Sequence, residues 1–389
     1  MVASPPPSTT TTMTGSLWSW TESLTACGGY LSSGNVLPAG VRAADDEDEL
    51  KRDDNQTSSA NSRGDAAETS AGASDLSGRT YVVTGVMTDP IARECAKRLK
   101  RAGARVVCAC ADVKAGELVL DEIRKEVGED TKTAETGELV ALYCDLANLS
   151  SIDSFVEAFC AKAWALDGLL NAENVCMEAF STTEDGFEKH FAVNHLGHFK
   201  LTALLMIELI RTAAASGREG RVVNMSSHLH HFTYRVRQGT IKPSRGIDFT
   251  NLNDSFGYTA VNSYGQSKLA NVLHAWSLAE RLTTNGSPVR SMAVTPGMTE
   301  LEVDRYLDFP GGSVFSGILK STVISTVEQA AATPLYCLTS PNLPAGTYFS
   351  DCAPAKSSLP SRDPRLAAKL WEYSEEVCGL IPAEKEHST

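Results

Sequence analysis

Positive charge is scarce in this chain, with 35 Lys and Arg against 48 Asp and Glu and a formal charge of −13 over 389 residues. Nucleic acid and anionic membrane surfaces both need clustered cations, so neither is an expected partner. No apolar run reaches the roughly 18 residues of a membrane span, the longest candidate lying near Leu201 to Ile210. The ten cysteines lack the paired short spacings of a zinc site, and most sit in apolar runs such as Val107-Cys108-Ala109-Cys110. Buried reduced thiols in a reducing compartment are the expectation. The first Lys or Arg is Arg42, which leaves no basic start for a signal peptide and no Arg-rich transit helix. Cytoplasm is the default. Internal repeats are also lacking.

With 42% hydrophobic and 21% charged residues, the chain has the composition of an ordinary globular protein, long enough for one large α/β domain plus a tail. Residues 1–77 hold 4 Lys and Arg against 11 Asp and Glu, with Pro5-Pro6-Pro7, a run from Thr9 to Thr12 and the acidic block Asp45 to Glu49. So little apolar surface cannot offset the entropy of ordering, and a disordered acidic tail is expected. Trp18, Trp20 and Tyr30 are either a short motif for a protein partner or stray aromatics. The domain is expected over residues 78–380, with 381–389 as a second tail.

From Gly78 onward strands and helices alternate. Strands are expected at Thr80 to Val83, Ala104 to Cys110, Leu139 to Tyr143, Leu166 to Leu170, Gly220 to Met225 and Val289 to Val294. Helices are expected through Ile91, Cys95, Ala96 and Leu99, then at Val113 to Val127, Ser151 to Trp164, Thr183 to Arg211 and Ser263 to Leu282. A core helix from Val327 to Leu338 and a last strand from Gly346 to Ser350 follow. Such alternation predicts a Rossmann-type, doubly wound parallel sheet, whose ligands bind at the carboxyl ends of the strands.

The residues that carry chemistry fall at those ends. Tyr264 and Lys268, four apart, share one helical face. An ammonium beside a phenol favours the phenolate, which suits proton transfer near neutral pH. Thr84-Gly85, a tight turn between a strand and a helix, either holds a pyrophosphate on backbone N–H groups or is an ordinary βα turn. Asp145 either accepts from an adenine amine or caps the helix that follows, for which Asn148 and Ser150 are better placed.

Four segments in order carry a resemblance: Leu169-Leu170-Asn171, DGFEKHFAVNHLGHFKLTALL at Asp185 to Leu205, GRVVNMSSHLHH at Gly220 to His231, and YGQSKLANV at Tyr264 to Val272. Together they resemble the short-chain dehydrogenase/reductase family. GIDFTNLND from Gly246 to Asp254 is similar to the branch of retinol dehydrogenases, protochlorophyllide reductases and WW-domain oxidoreductases. The resemblance implies an NAD(P)-dependent oxidoreductase that interconverts an apolar alcohol and a carbonyl. It implies Tyr264 as general acid or base, Lys268 as the group that activates it and holds the nicotinamide ribose, and Ser227 as donor to the substrate oxygen. Asn194 would hold a water that passes protons from Lys268 to solvent. The implied cofactor residues are Thr84, Gly85, Thr88, Ile91, Asp112, Asp145, Leu146, Asn171, Pro296, Gly297 and Thr299, with Tyr264 and Lys268.

Several positions depart from the family pattern. Asp89-Pro90 replaces the middle glycine of Thr-Gly-x-x-x-Gly-x-Gly and adds one residue. An ionised Asp89 about 5 Å from a pyrophosphate would cost roughly 3 kcal/mol at an effective dielectric of about 20. Asn171-Ala172-Glu173-Asn174 stands for Asn-Asn-Ala-Gly. Ala111 stands for the Arg that faces the 2′-phosphate of NADP, and Asp112 is the alternative partner for an NAD ribose, so the choice between NAD and NADP stays open. Leu301 takes the place of a second Thr after Thr299. A lid is expected over Glu302 to Thr326, with Leu307, Phe309, Val314, Phe315, Ile318 and Leu319 either lining an apolar cleft or packing the lid on the core. The altered cradle supports an alternative, a weakened relative that acts as a scaffold or senses NAD(P)H. The helices Thr183 to Arg211 and Ser263 to Leu282 are the surfaces by which relatives form homodimers.

Overall fold

The computed structural model describes residues 75–128, 137–236, 244–299, 303 and 324–381. The N-terminal tail, most of the expected lid and residues 382–389 lie outside them.

β1 (Thr80–Thr84) is TYVVT, buried along its whole length, because a central parallel strand is covered on both faces. It pairs with β2 (Arg105–Cys110) on one side and β4 (Gly168–Asn171) on the other, with Thr80 opposite Arg105 and Tyr81 opposite Gly168. β3 (Leu139–Tyr143), β5 (Gly220–Met225), β8 (Val289–Thr295), β11 (Tyr348–Ser350) and β12 (Ala353–Pro354) complete one sheet in the order β12-β11-β8-β5-β4-β1-β2-β3. Among the described residues only the β11–β12 pair of this sheet is antiparallel, and β6 (Tyr234–Val236) and β7 (Ser244–Gly246) form a separate antiparallel pair. The strand order reverses direction between β1 and β4, which opens a crevice at their carboxyl ends.

Helices α1 (Pro90–Arg101), α2 (Val113–Val127), α3 (Leu149–Cys160), α4 (His198–Ser216) and α5 (Ala260–Thr284) flank the sheet. Their starts are chemically specified. Asp89, Asp112 and Asn148 each cap a helix by accepting two backbone N–H groups, and Pro90 fills a first-turn position whose N–H would have no helical partner. Gly128, with φ of 78°, ends α2.

The expected helix from Thr183 to Arg211 is corrected in the structure. One α-helical turn at Lys189–Phe191 leads into a π-helical segment, Ala192–Gly197, before α4 begins. The expected helix from Val327 to Leu338 is two, α6 (Val327–Ala330) and α7 (Ala332–Thr339). A further helix, α8 (Pro364–Val377), starts on an Asp363 cap and lies across α4 and α5. Trp371 stacks edge-on to Phe199 at 5.0 Å and lies under the Arg281 guanidinium at 4.1 Å. At these positions α8 covers part of α4 and α5.

Candidate active site and dinucleotide cleft

Tyr264 and Lys268 sit one turn apart near the start of α5, 1% and 2% exposed, with the Lys268 ammonium 5.5 Å from the Tyr264 ring centre. Backbone groups anchor the helix here. Lys268 Nζ and Asn271 Nδ2 both donate to the Met225 carbonyl at the end of β5, while Ser226 Oγ donates to the Lys268 carbonyl. Ser227 follows directly. Its hydroxyl accepts from Leu229 N at 3.3 Å as the cap of a 3-10 turn over His228–His231, which leaves the hydroxyl proton to donate elsewhere.

Gly265 makes this approach feasible. A Cβ there would lie 1.9 Å from the Phe232 carbonyl oxygen, so α5 touches the loop after β5 backbone to backbone. We expect Gly265→Ala to push Tyr264 away from Ser227 and to destabilise the fold by about 1–3 kcal/mol. Denaturant unfolding checks this, and an unchanged midpoint would show that the loop yields freely.

Asn194 lies in the π-helical segment. Its side chain closes on one residue, accepting from Val175 N at 2.8 Å and donating to Val175 O at 2.9 Å. Nδ2 also reaches Ser267 Oγ at 3.0 Å, and that hydroxyl donates to the Tyr264 carbonyl. The backbone carbonyl of Asn194 accepts from His198 Nδ1 at 3.0 Å.

Burial lowers the pKa of His198 to about 3, so the ring is neutral at physiological pH. With Nδ1 as donor, Nε2 accepts from the Thr84 hydroxyl at 2.8 Å. Thr84 Oγ1 in turn accepts from Ala172 N and Glu173 N at 2.8 and 2.9 Å. His198 therefore links the cofactor turn after β1 to Asn194. Sequence reasoning missed it, as it missed Gly265 and Ser267. The signal was its i+4 spacing from Asn194. Below Tyr264, His190 packs edge-on at 6.1 Å and pairs with Glu188 at 2.7 Å. Burial opposes ionisation of Glu188, but His190 and the N–H groups of Phe191 and His190 hold its pKa below the ordinary value.

Apart from Tyr264 and Lys268, the expected cofactor residues lie at the carboxyl ends of β1, β2, β3, β4 and β8 or in the segments just after them. Gly85 has φ of 81°, and a Cβ would lie 2.8 Å from Glu173 backbone, the close approach for which only glycine fits. Thr88 donates to Glu173 Oε1 at 2.6 Å. Asn171 donates to Thr202 and to Asn224, tying β4 to α4 and β5. Leu146 is buried against Gly197, and Asp145 turns back to accept from Ala147 N while Asn148 takes the helix cap. Asp112 Oδ1 is likewise committed, capping α2 through Lys114 N and Ala115 N. At the far end Gly297 has φ of 91°, next to Pro296, and Thr299 is 3% exposed in β9 (Met298–Thr299), which pairs with β10 (Ile324–Ser325). Apolar side chains close on Tyr264: Leu229, Met298, Met177, Phe232 and Val303.

A nicotinamide dinucleotide would have Asn171 near its adenosine half and Tyr264, Lys268, Pro296 and Thr299 near its nicotinamide half. The middle fits less well. The N-terminus of α1, where a pyrophosphate would lie, is capped by Asp89, whose Oδ1 accepts from Ile91 N at 2.8 Å and Ala92 N at 3.3 Å.

Comparison with known proteins agrees with this geometry. Residues 79–237 match the short chain dehydrogenase family. Human retinol dehydrogenase 11 is 38% identical over 307 residues, 78% of this chain and 87% of that protein. The chloroplastic short-chain dehydrogenase TIC 32 B of Brassica napus is 33% identical over 309 residues, covering 78% and 89% of the two chains. Among solved structures, an uncharacterised protein of Mycobacterium paratuberculosis superposes with a TM-score of 0.59 at 28% identity, over 79% of this chain and 95% of that one.

Proposed function

The chain belongs to the short-chain dehydrogenase/reductase family, in its retinol dehydrogenase-like branch, and from that premise we propose that it interconverts apolar alcohols and carbonyls using a nicotinamide dinucleotide, with Tyr264 as general acid and base. The observation that carries this reading is the stitching of Asn194, Ser267, Tyr264, Lys268 and Ser226 into one buried hydrogen-bonded frame beside Ser227. When bound, the nicotinamide supplies or accepts the hydride. Gly85, Asn171, Lys268, Pro296 and Thr299 are the residues that would hold the dinucleotide. Ser227 donates to the substrate oxygen and orients it toward the Tyr264 hydroxyl. Tyr264 gives that oxygen its proton in reduction and takes it back in oxidation. Lys268 stabilises the tyrosinate left behind, and protons return to it through a water held at Asn194. Leu229, Met298 and Phe232 keep water from the reacting carbon and favour an apolar substrate.

The direct test supplies purified protein with NADH or NADPH and a panel of retinal, long-chain and aromatic aldehydes. We expect oxidation of the reduced nicotinamide with at least one apolar aldehyde. No oxidation across the panel, with dinucleotide bound, would overturn the assigned substrate class. Asp89 at the helix N-terminus favours a second reading, a relative that binds nucleotide weakly and works as a scaffold or sensor, with the acidic tail engaging a protein partner. On that reading the same panel gives no turnover and dinucleotide binds only at millimolar concentration.

A further inference from the structure

On the reading that the cleft takes a nicotinamide dinucleotide, we propose that Asp89 and Glu173 form an acidic gate across the pyrophosphate position, which a dinucleotide opens by displacing Asp89 from the start of α1 and drawing a proton onto Glu173. A helix N-terminus ordinarily offers its first N–H groups and the positive end of its dipole to an anion. In this chain the Asp89 carboxylate already takes both, and Pro90 brings no N–H of its own. A phosphate arriving at Ile91 N and Ala92 N has to compete with a tethered carboxylate. Asp89 is 7% exposed, so bulk water screens its charge poorly.

Glu173 closes the other side. Thr88 Oγ1 donates to its Oε1 at 2.6 Å, which joins the turn after β1 to the loop after β4 directly over the cradle. The groups facing Glu173 are Asp89 from the cap of α1, Asp145 from the end of β3, and the thiols of Cys110 and Cys144 from the ends of β2 and β3. Burial pushes the Glu173 carboxyl above the ordinary carboxylate range; the charges of Asp89 and Asp145 add to this, while hydrogen bonds from Thr88 and Asn174 N oppose it. A pyrophosphate beside it would raise that value further, so binding takes up a proton between the free and bound values. Affinity is then highest at low pH and falls as pH rises through this window.

The test is calorimetric titration of the full-length protein with NADH and with NADPH at pH steps from about 5 to about 8, in buffers of low and high protonation heat. Wild type should bind more tightly at lower pH, by up to about tenfold per pH unit within the window, with uptake of about one proton. Glu173→Gln should remove the uptake and flatten the pH dependence. Asp89→Ser keeps a capping hydroxyl without the charge, and it should tighten binding about a hundredfold. Thermal melting establishes that both variants are folded. Equal affinity in all three proteins with no proton uptake would overturn the gate and leave the dinucleotide reading standing. Failure of all three to bind either dinucleotide would remove both.

Discussion

Tyr264→Phe should abolish turnover while leaving the protein folded and its dinucleotide affinity within about twofold of wild type. The substitution removes one oxygen from a ring whose packing is otherwise kept: the contact with His190 at 6.1 Å and the position beside Lys268 depend on the ring. The carbonyl of residue 264 still accepts from Ser267, so the frame around Asn194 stays closed. What is lost is the proton donor at the substrate oxygen. Positioned acid–base groups contribute about 10²–10⁴ in rate, and a loss in that range in kcat with KM nearly unchanged is the expected signature. Full activity in the Phe variant would sink the mechanism. The same loss with a much weaker dinucleotide would mean that the hydroxyl mainly holds the ribose.

Most of the fold could be read from the sequence because its signals were local. The helix Val113–Val127 and the strand Leu139–Tyr143 appear with the bounds their patterns give, since Asp112 and Gly128 punctuate the helix within its own stretch. The segment around Asn194 could not be read in this way. Apolar residues keep their helical period through it, and the Asn194 side chain is tied to Val175, 19 residues away. Asp89-Pro90 is a different case. It is a readable helix start, a capping carboxylate followed by proline, but comparison with the family's glycine pattern made it look only like an obstacle to phosphate. The same residue does both, because the N–H groups it satisfies are those a phosphate would use. The helix Pro364–Val377 carries the same Asp-Pro signal and went unread. His198 and Glu173 acquire their roles only through partners on other elements, 114 and 85 residues away at Thr84 and Thr88, respectively.

Buried histidines should make this protein unfold steeply on mild acidification, before its carboxylates are protonated. Burial lowers the pKa of His198, His230 and His274 to about 3 and that of His195 well below the ordinary value. Nearby positive groups add to this at His198, where Lys268 contributes, and at His274, where His198 and Arg281 contribute. In the unfolded chain each of these rings titrates near 6.5, so between that value and about 3 the unfolded state binds more protons than the folded one. Stability is then constant above the unfolded value and falls as pH drops through it. The three rings held near 3 give a slope approaching about 4 kcal/mol per pH unit, to which His195 adds, so more than half of a total of about 10 kcal/mol is lost by about pH 5, above the ordinary carboxylate range. Glu188 and Glu219, both held below the ordinary carboxylate value, add their own loss only at lower pH. The two contributions can be separated by denaturant midpoints measured from about pH 7 to about pH 5, where the histidines lower stability and the raised carboxyls of Glu173 and Glu375 oppose them in part. His274→Gln should reduce the slope in that range by about 1.4 kcal/mol per pH unit, because one ring no longer differs between states. A midpoint that does not move over the same range would show that the rings gain protons in the folded protein. That would require water or a counter-charge to reach the ring cluster beside α8, where His274 packs at 5.0–6.0 Å against His195, Phe199 and Trp371 and Phe199 packs at 5.0 Å on Trp371.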